Sequence, residues 1–189
     1  MRIISGDWRS RALKAPKGDT TRPTADRTRE TLFSMLISRI GSFEDLLVLD
    51  LFAGSGALGL EALSRGAASA TFVEQDPAAL KALEQNIEKM SANADVKRCS
   101  ALTLGKSNNA YDVIFLDPPY GSSAAVVALE KLSRFGWVAP SAWISVETGR
   151  EEAVTPKGYS IESERNIGKA KITLLRPELP PKIADSEIS

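Results

Sequence analysis

Histidine is absent from all 189 residues, and cysteine occurs once, at Cys99. The first absence removes the commonest general base and the commonest metal ligand together. The second excludes an internal disulfide. No long uncharged apolar run and no charged-then-apolar leader is found, so no membrane partner is expected and a soluble, cytoplasmic protein is. No metal site is expected either, which leaves carboxylates, hydroxyls, backbone groups or a cofactor to carry any chemistry. Net charge is zero, yet its distribution is uneven. Residues 1–40 hold nine Lys and Arg against four acids, a surplus of five that the remaining fifteen bases and twenty acids offset. A basic beginning on a mildly acidic body fits a polyanionic partner, and it equally fits a solvated tail.

An apolar content of 43% over this length provides for one α/β domain with a short appendage, and a monomer is expected. Residues 1–23 are rich in Arg, Lys, Gly and Pro and read as a basic arm with short extended pieces. From Thr24, a plausible N-cap, Leu32, Phe33, Leu36, Ile37 and Ile40 recur at helical spacing until Gly41 stops them. Strands are then predicted at Leu46 to Leu51, Ala70 to Glu74, Asp95 to Cys99, Asp112 to Leu116 and Trp143 to Glu147. Helices are predicted after the first strand to about Arg65, from Pro77 to about Met90 and near Ala124 to Phe135. This alternation predicts a mostly parallel sheet wound on both faces. Tyr159 to Arg165 and Ala170 to Arg176 flank Asn166-Ile167-Gly168-Lys169 and predict an antiparallel hairpin on one edge. The domain is therefore drawn over residues 24–176, and residues 177–189, rich in proline and acids, read as a disordered tail.

Two strand ends carry chemistry. Asp50-Leu51-Phe52-Ala53-Gly54-Ser55-Gly56 leads from an apolar strand into a glycine-rich turn, where the backbone can approach a nucleoside or phosphate. Gly54, Gly56 and Gly59 also satisfy G-x-G-x-x-G, and Glu74 ends the next strand, where an acid would accept hydrogen bonds from ribose hydroxyls. These features admit either NAD or S-adenosylmethionine. Asp117-Pro118-Pro119-Tyr120, after the apolar Val113 to Leu116, separates the two. Hydride transfer has no use for it, whereas amine methylation does. A nucleobase amine is a poor nucleophile because its lone pair is delocalised into the ring. The Asp117 carboxylate and the Pro118 carbonyl can accept its hydrogens and favour the geometry in which that pair is freed. The two prolines fix where those oxygens point, and Tyr120 can stack on a flipped base. A sulfonium methyl is already activated, so such a displacement needs neither histidine nor metal.

Taken together, the arm Arg2-Ile3-Ile4-Ser5-Gly6-Asp7-Trp8-Arg9, Arg22-Pro23-Thr24, Arg27, Arg29-Glu30-Thr31-Leu32-Phe33, the run Asp50 to Ala67 and Asp117 to Tyr120 resemble the RsmD family. These are bacterial class I methyltransferases that modify the N2 amine of one guanine in 16S ribosomal RNA of the small subunit. The resemblance implies a Rossmann-like class I fold with S-adenosyl-L-methionine as cofactor. It implies that Asp50, Phe52, Ala53, Gly54, Ser55 and Gly56 line the methionine and ribose side, that Glu74 holds the ribose and that Gln75 lies against the adenine. Asp117, Pro118, Pro119 and Tyr120 would take the guanine. Two residues depart from the family pattern. Ser10 replaces a glycine usual in the arm, and Ser100 replaces the acid that usually recognises the adenine amine, leaving the Ser100 hydroxyl or the Ala101 backbone to do so. Trp8, Arg9, Arg11, Lys14 and Arg22 are the candidate RNA contacts, with Trp8 equally able to pack under the domain. Methylation of adenine N6 or of a protein glutamine, and a non-catalytic RNA-binding scaffold, are the alternative readings.

Overall fold

The computed structural model describes residues 1–16, 23–121 and 123–178; Arg22 and most of the expected tail lie outside this range, as does the side chain of Thr24. The first helix, α1 (Pro23–Ile40), begins one residue before the expected start, because proline suits a first helical position and Thr24 already lies inside the helix. Then follow β1 (Leu47–Leu51), α2 (Ala57–Ser64), β2 (Ser69–Glu74), α3 (Pro77–Met90), β3 (Ala94–Arg98), β4 (Tyr111–Leu116), α4 (Ala124–Arg134), β5 (Val138–Gly149), β6 (Tyr159–Ile167) and β7 (Ala170–Pro177). The start of α3 is set by Asp76, whose carboxylate accepts from the Ala79 amide at 2.8 Å, with Pro77 next in the chain.

The strands form one seven-stranded sheet in the order β3-β2-β1-β4-β5-β7-β6. The first five are mutually parallel, and β7 pairs antiparallel with both β5 and β6. Thus β7 rather than β6 joins the hairpin to the sheet, and Pro177, assigned to the tail from sequence, closes the hairpin opposite Tyr159. The buried strands read as apolar on both faces because both are covered. Val48, Val113 and Phe115 pack toward α1, α2 and α3, whereas Leu49, Ile114 and Leu116 pack toward α4. Phe33 of α1 centres the first layer, with ring centroids 5.3 Å from Phe43 and 5.5 Å from Phe115.

Residues 1–16 fold back on the domain. Arg2 and Ala12 form an antiparallel bridge, and Ile3 and Leu13 are buried in the same core as α1 and α2. Glu61 of α2, itself fully buried, accepts from the amides of Ile4 and Ser5 at 2.7 and 3.0 Å. Ser10 closes the bend in the left-handed region, φ 68°, and its amide donates to the Ile3 carbonyl. A non-glycine residue costs about 1–2 kcal/mol there, and glycine loses roughly 0.5–1 kcal/mol more chain entropy on folding. Ser10→Gly is therefore expected to stabilise the protein by roughly 0.5–1 kcal/mol, read from the denaturant midpoint. A lower midpoint would contradict the strain assignment.

Candidate active site

In an open α/β sheet, ligands bind beyond the carboxyl ends of the strands, where the strand order reverses. Here that point is β1, flanked by β2 on one side and β4 on the other. A cavity of about 600 Å³ opens there. It is walled by Phe52 after β1, Val73 and Glu74 of β2, Gln75 and Asp76 after it, Cys99 after β3 with Ala101, and Asp117 to Tyr120 after β4. Phe52 of the first motif and Asp117 to Tyr120 of the second, far apart in sequence, thus line one open cleft.

The glycine-rich turn has a packing half and an open half. A methyl group on Gly56 would meet Leu83 at 2.4 Å, and one on Gly59 would meet Phe72 at 2.4 Å, so these two let α2 approach β2 and α3. Gly54 is different, since a methyl group there would meet nothing within 4 Å. It adopts φ 55°, a left-handed conformation that favours glycine, and it leaves free space beside its backbone. Phe52 is also left-handed, φ 59°, and this strain sits in the cavity wall. Ala53 anchors the turn by donating to the Val73 carbonyl at 3.1 Å.

Glu74 organises the loop as well as facing the cavity. Its carboxylate accepts from the amides of Gly54 at 2.8 Å, Gln75 at 2.7 Å and Asp76 at 2.8 Å. Two carboxylate oxygens offer about four acceptor positions, so one remains for a ligand hydroxyl. Asp50, by contrast, lies behind the turn rather than in the cavity wall. It is buried, and its carboxylate accepts from the Gly59 amide at 2.8 Å. Burial holds its carboxyl well above the usual carboxylate range, with the Gly59 amide opposing and Asp117 and Glu74 reinforcing the rise. Ala53, Gly54, Ser55, Gly56 and Ser100 are likewise outside the wall, Gly54 meeting it only through the bond from its amide to Glu74. The Ser100 hydroxyl accepts from the Leu102 amide at 3.2 Å and caps a 3₁₀ turn at Ala101–Thr103.

Tyr120 is half exposed, and its hydroxyl donates to Glu147 of β5 at 2.9 Å. Burial, then the neighbouring Glu147 carboxylate, push the phenol above its ordinary value, so it stays protonated and can keep donating. Burial raises the Glu147 carboxyl as well, against the hydrogen bond from Tyr120. Glu152 accepts from the amides of Gly121 at 2.8 Å and Gly149 at 3.1 Å. Two carboxylates from the end of β5 and the turn after it therefore hold the segment that follows Asp117. Neither was identified from sequence, nor were Val73, Asp76 and Cys99 in the wall.

Of the proposed RNA contacts, Arg9, Arg11 and Lys14 are exposed, and Arg22 lies outside the described residues. The Trp8 ring is half buried against the core, and its amide donates to the Ser64 hydroxyl at 3.0 Å. Asn86 of α3, fully buried, receives the Lys14 amide at 2.8 Å and donates to the carbonyls of Lys14 and Ser55, both at 2.9 Å. The arm and the glycine-rich turn are thereby joined through one side chain. Among the described residues there is no cluster of three or more metal-ligating side chains, and no helix is long and apolar enough to cross a membrane.

A parallel sheet with an antiparallel β7, a glycine-rich turn after β1, an acid ending β2 and D-P-P-Y after β4 are the marks of a Rossmann-like class I methyltransferase. The family model described as conserved hypothetical protein 95 matches residues 1–176. The ribosomal RNA small subunit methyltransferase D of Escherichia coli K12 is 40% identical over 182 residues, covering 94% of this chain and 90% of that protein. The protein of the same name from Haemophilus influenzae is 39% identical, with 89% of each chain covered. Among solved structures, the Escherichia coli protein yhhF, described as a methyltransferase, superimposes with a TM-score of 0.84 at 39% identity, covering 95% of this chain and 99% of that one. The chain belongs to this family, the RsmD-type methyltransferases.

Proposed function

We propose that the protein transfers a methyl group from S-adenosylmethionine to the exocyclic N2 amine of a guanine in 16S ribosomal RNA, as a cytoplasmic enzyme of the small subunit's maturation. The observation that carries this reading is the single cavity in which Glu74 and Phe52 face Asp117 and Tyr120. The similarity to proteins named ribosomal RNA small subunit methyltransferase D supports the substrate.

The site fits the cofactor on its own chemistry. The open space beside Gly54 lets a ligand lie against the backbone, and the remaining acceptor position of Glu74 suits a ribose hydroxyl. Gln75 and Ala101 both line the cavity, which supports their contact with an adenine. With the Ser100 hydroxyl turned to its own 3₁₀ turn, the adenine contact falls to the Ala101 backbone. When bound, S-adenosylmethionine supplies an electrophilic methyl group on a sulfonium. The protein's part is to accept the guanine amine hydrogens at the Asp117 carboxylate and the Pro118 carbonyl, and to support the base on Tyr120. Glu147 and Glu152 keep that platform in place, so positioning rather than strong base catalysis is the main contribution. Arg9, Arg11, Lys14 and Arg22 would contact phosphates. The packed ring of Trp8 supports an anchoring role for it rather than stacking.

The deciding experiment offers labelled S-adenosylmethionine with small subunits, naked ribosomal RNA, DNA and total protein, followed by nucleoside analysis. Label is expected in N2-methylguanosine of 16S ribosomal RNA. Label confined to N6-methyladenosine or to protein would overturn the proposal.

A further inference from the structure

Two clefts of about 550 Å³ each flank α1 and share Arg27 and Glu30 in their walls. One extends to Arg2 and Arg9 of the arm, the other to Arg39 and to Arg165 of β6. All five arginines are exposed, and among the described residues none of them makes an ion pair. The acids on this face are mostly spoken for. Asp26 is held by Arg29 at 3.1 Å and Glu164 by Lys171 at 3.3 Å, which leaves Glu30 as the uncompensated carboxylate in the two walls. Five guanidinium groups against one acid make a strongly positive strip on a protein whose net charge is zero.

The strip is built for hydrogen bonding. Thr31, Ser34, Ser38 and Ser163 line the second cleft among the arginines. Arg39 is held in place by bonds to the Met35 carbonyl at 2.7 Å and the Ser163 hydroxyl at 3.0 Å, and it lies 5.8 Å from the Trp143 ring centre. The apolar residues of the walls, Ile3, Ile4 and Met35, are buried or half-buried, and the exposed Ile37 and Ile161 belong to neither wall, so the lining lacks the exposed apolar anchor that a protein partner usually needs. From Arg27 to Arg39 the helix advances about 18 Å, the reach of an extended polyanion rather than of a single phosphate. Trp143 stands four residues before Glu147 on β5, which places this end of the strip roughly 13 Å from the residue that holds Tyr120.

We propose that the α1–β6 face is an RNA-docking track that continues from the arm and binds the sugar-phosphate backbone through Arg27, Arg39 and Arg165. The track rests on the reading of RNA as substrate, and it adds a surface that the arm residues do not include. It holds the folded RNA against the side of the domain while the target base enters the cavity above.

The test uses the full chain with Arg27→Gln and Arg165→Gln combined, because neither side chain makes a hydrogen bond or ion pair among the described residues. Equilibrium binding to naked 16S ribosomal RNA and to assembled small subunits is measured across a potassium chloride series, alongside the melting temperature and S-adenosylmethionine affinity. Each lost phosphate contact lowers the magnitude of the log–log salt slope by about 0.7–0.9, so a decrease of roughly 1.4–1.8 is expected with melting and cofactor affinity unchanged. A slope equal to that of the wild type overturns the track while leaving the substrate reading intact. Weakened binding to assembled subunits alone, with naked RNA unaffected, overturns it in favour of a protein contact. A wild-type protein with no salt-dependent RNA affinity overturns both readings together.

Discussion

Asp117→Ala is expected to reduce methyl transfer by about 10³–10⁴-fold while S-adenosylmethionine still binds. The reason lies in what the guanine amine needs. Its lone pair becomes available only when the amine hydrogens are held out of conjugation, and Asp117 provides the charged one of the two acceptors proposed for them. The Pro118 carbonyl remains in the variant but cannot hold both hydrogens. A loss of this size corresponds to roughly 4–5.5 kcal/mol in the barrier, within the range for one positioned catalytic group. Cofactor affinity should persist because the proposed adenosine side of the cavity is lined by Phe52, Glu74, Gln75 and Ala101, with Glu74 held by the amides of Gly54 and Gln75. Asp117→Asn keeps an acceptor oxygen without the charge and should fall between the two. Single-turnover rates with saturating cofactor, paired with equilibrium cofactor binding, make the measurement. Wild-type rates in Asp117→Ala would remove the carboxylate from the chemistry.

The parts legible in the sequence are those that local pattern dictates. The start of α3 at Pro77 was legible to the residue because Asp76 and Pro77 set it chemically. The apolar runs ending at Leu51 and Leu116 marked central strands, since burial on both faces removes alternation. What the pattern hid was long-range. The predicted strand Trp143 to Glu147 is the inner part of a strand that begins at Val138. Pro140 and Ser141 lie where the ladder shifts, with Tyr111 opposite Val138 but Val113 opposite Trp143. A bulge accommodates the proline's missing amide without ending the strand.

The same limit applies to the site. The family resemblance placed Asp50 with the cofactor, whereas its side chain lies behind the turn, where it accepts from the Gly59 amide. Glu147 and Glu152 lie 27 and 31 residues from the groups they hold, and nothing nearby in sequence names those partners. Ser10 gave a truer signal. A serine where the family usually has glycine marked a backbone position, and the structure puts it at positive φ.

Glu61 had a signal of its own in Ala57-Leu58-Gly59-Leu60-Glu61-Ala62-Leu63-Ser64. A carboxylate in a helix apolar on every side is seldom solvated, so it calls for partners. It has them on three elements. The Ile4 and Ser5 amides reach it from the arm, Arg65 from its own helix at 2.8 Å, and Arg29 of α1 approaches to 3.9 Å. Arg29 is itself buried, and that burial draws its guanidinium below the ordinary value while Asp26 and Glu61 oppose the shift. Glu61→Ala therefore leaves two amides unsatisfied and two arginines without their shared carboxylate. Removing one partner of a buried ion pair costs about 3–5 kcal/mol, which for a protein of this size lowers the melting temperature by roughly 6–20 °C. Glu61→Gln keeps one acceptor oxygen for the arm but not the charge, and should lie between. Because Glu61 fastens residues 4 and 5 to α2, the loss should be accompanied by faster amide exchange at Ile4 and Ser5, with exchange in β1 and β4 changing only with global stability. A destabilisation under about 1 kcal/mol in Glu61→Ala would show that the arm is held mainly by its other contacts, the buried Ile3 and Leu13 and the bonds to Ser64 and Asn86, and not by the buried carboxylate.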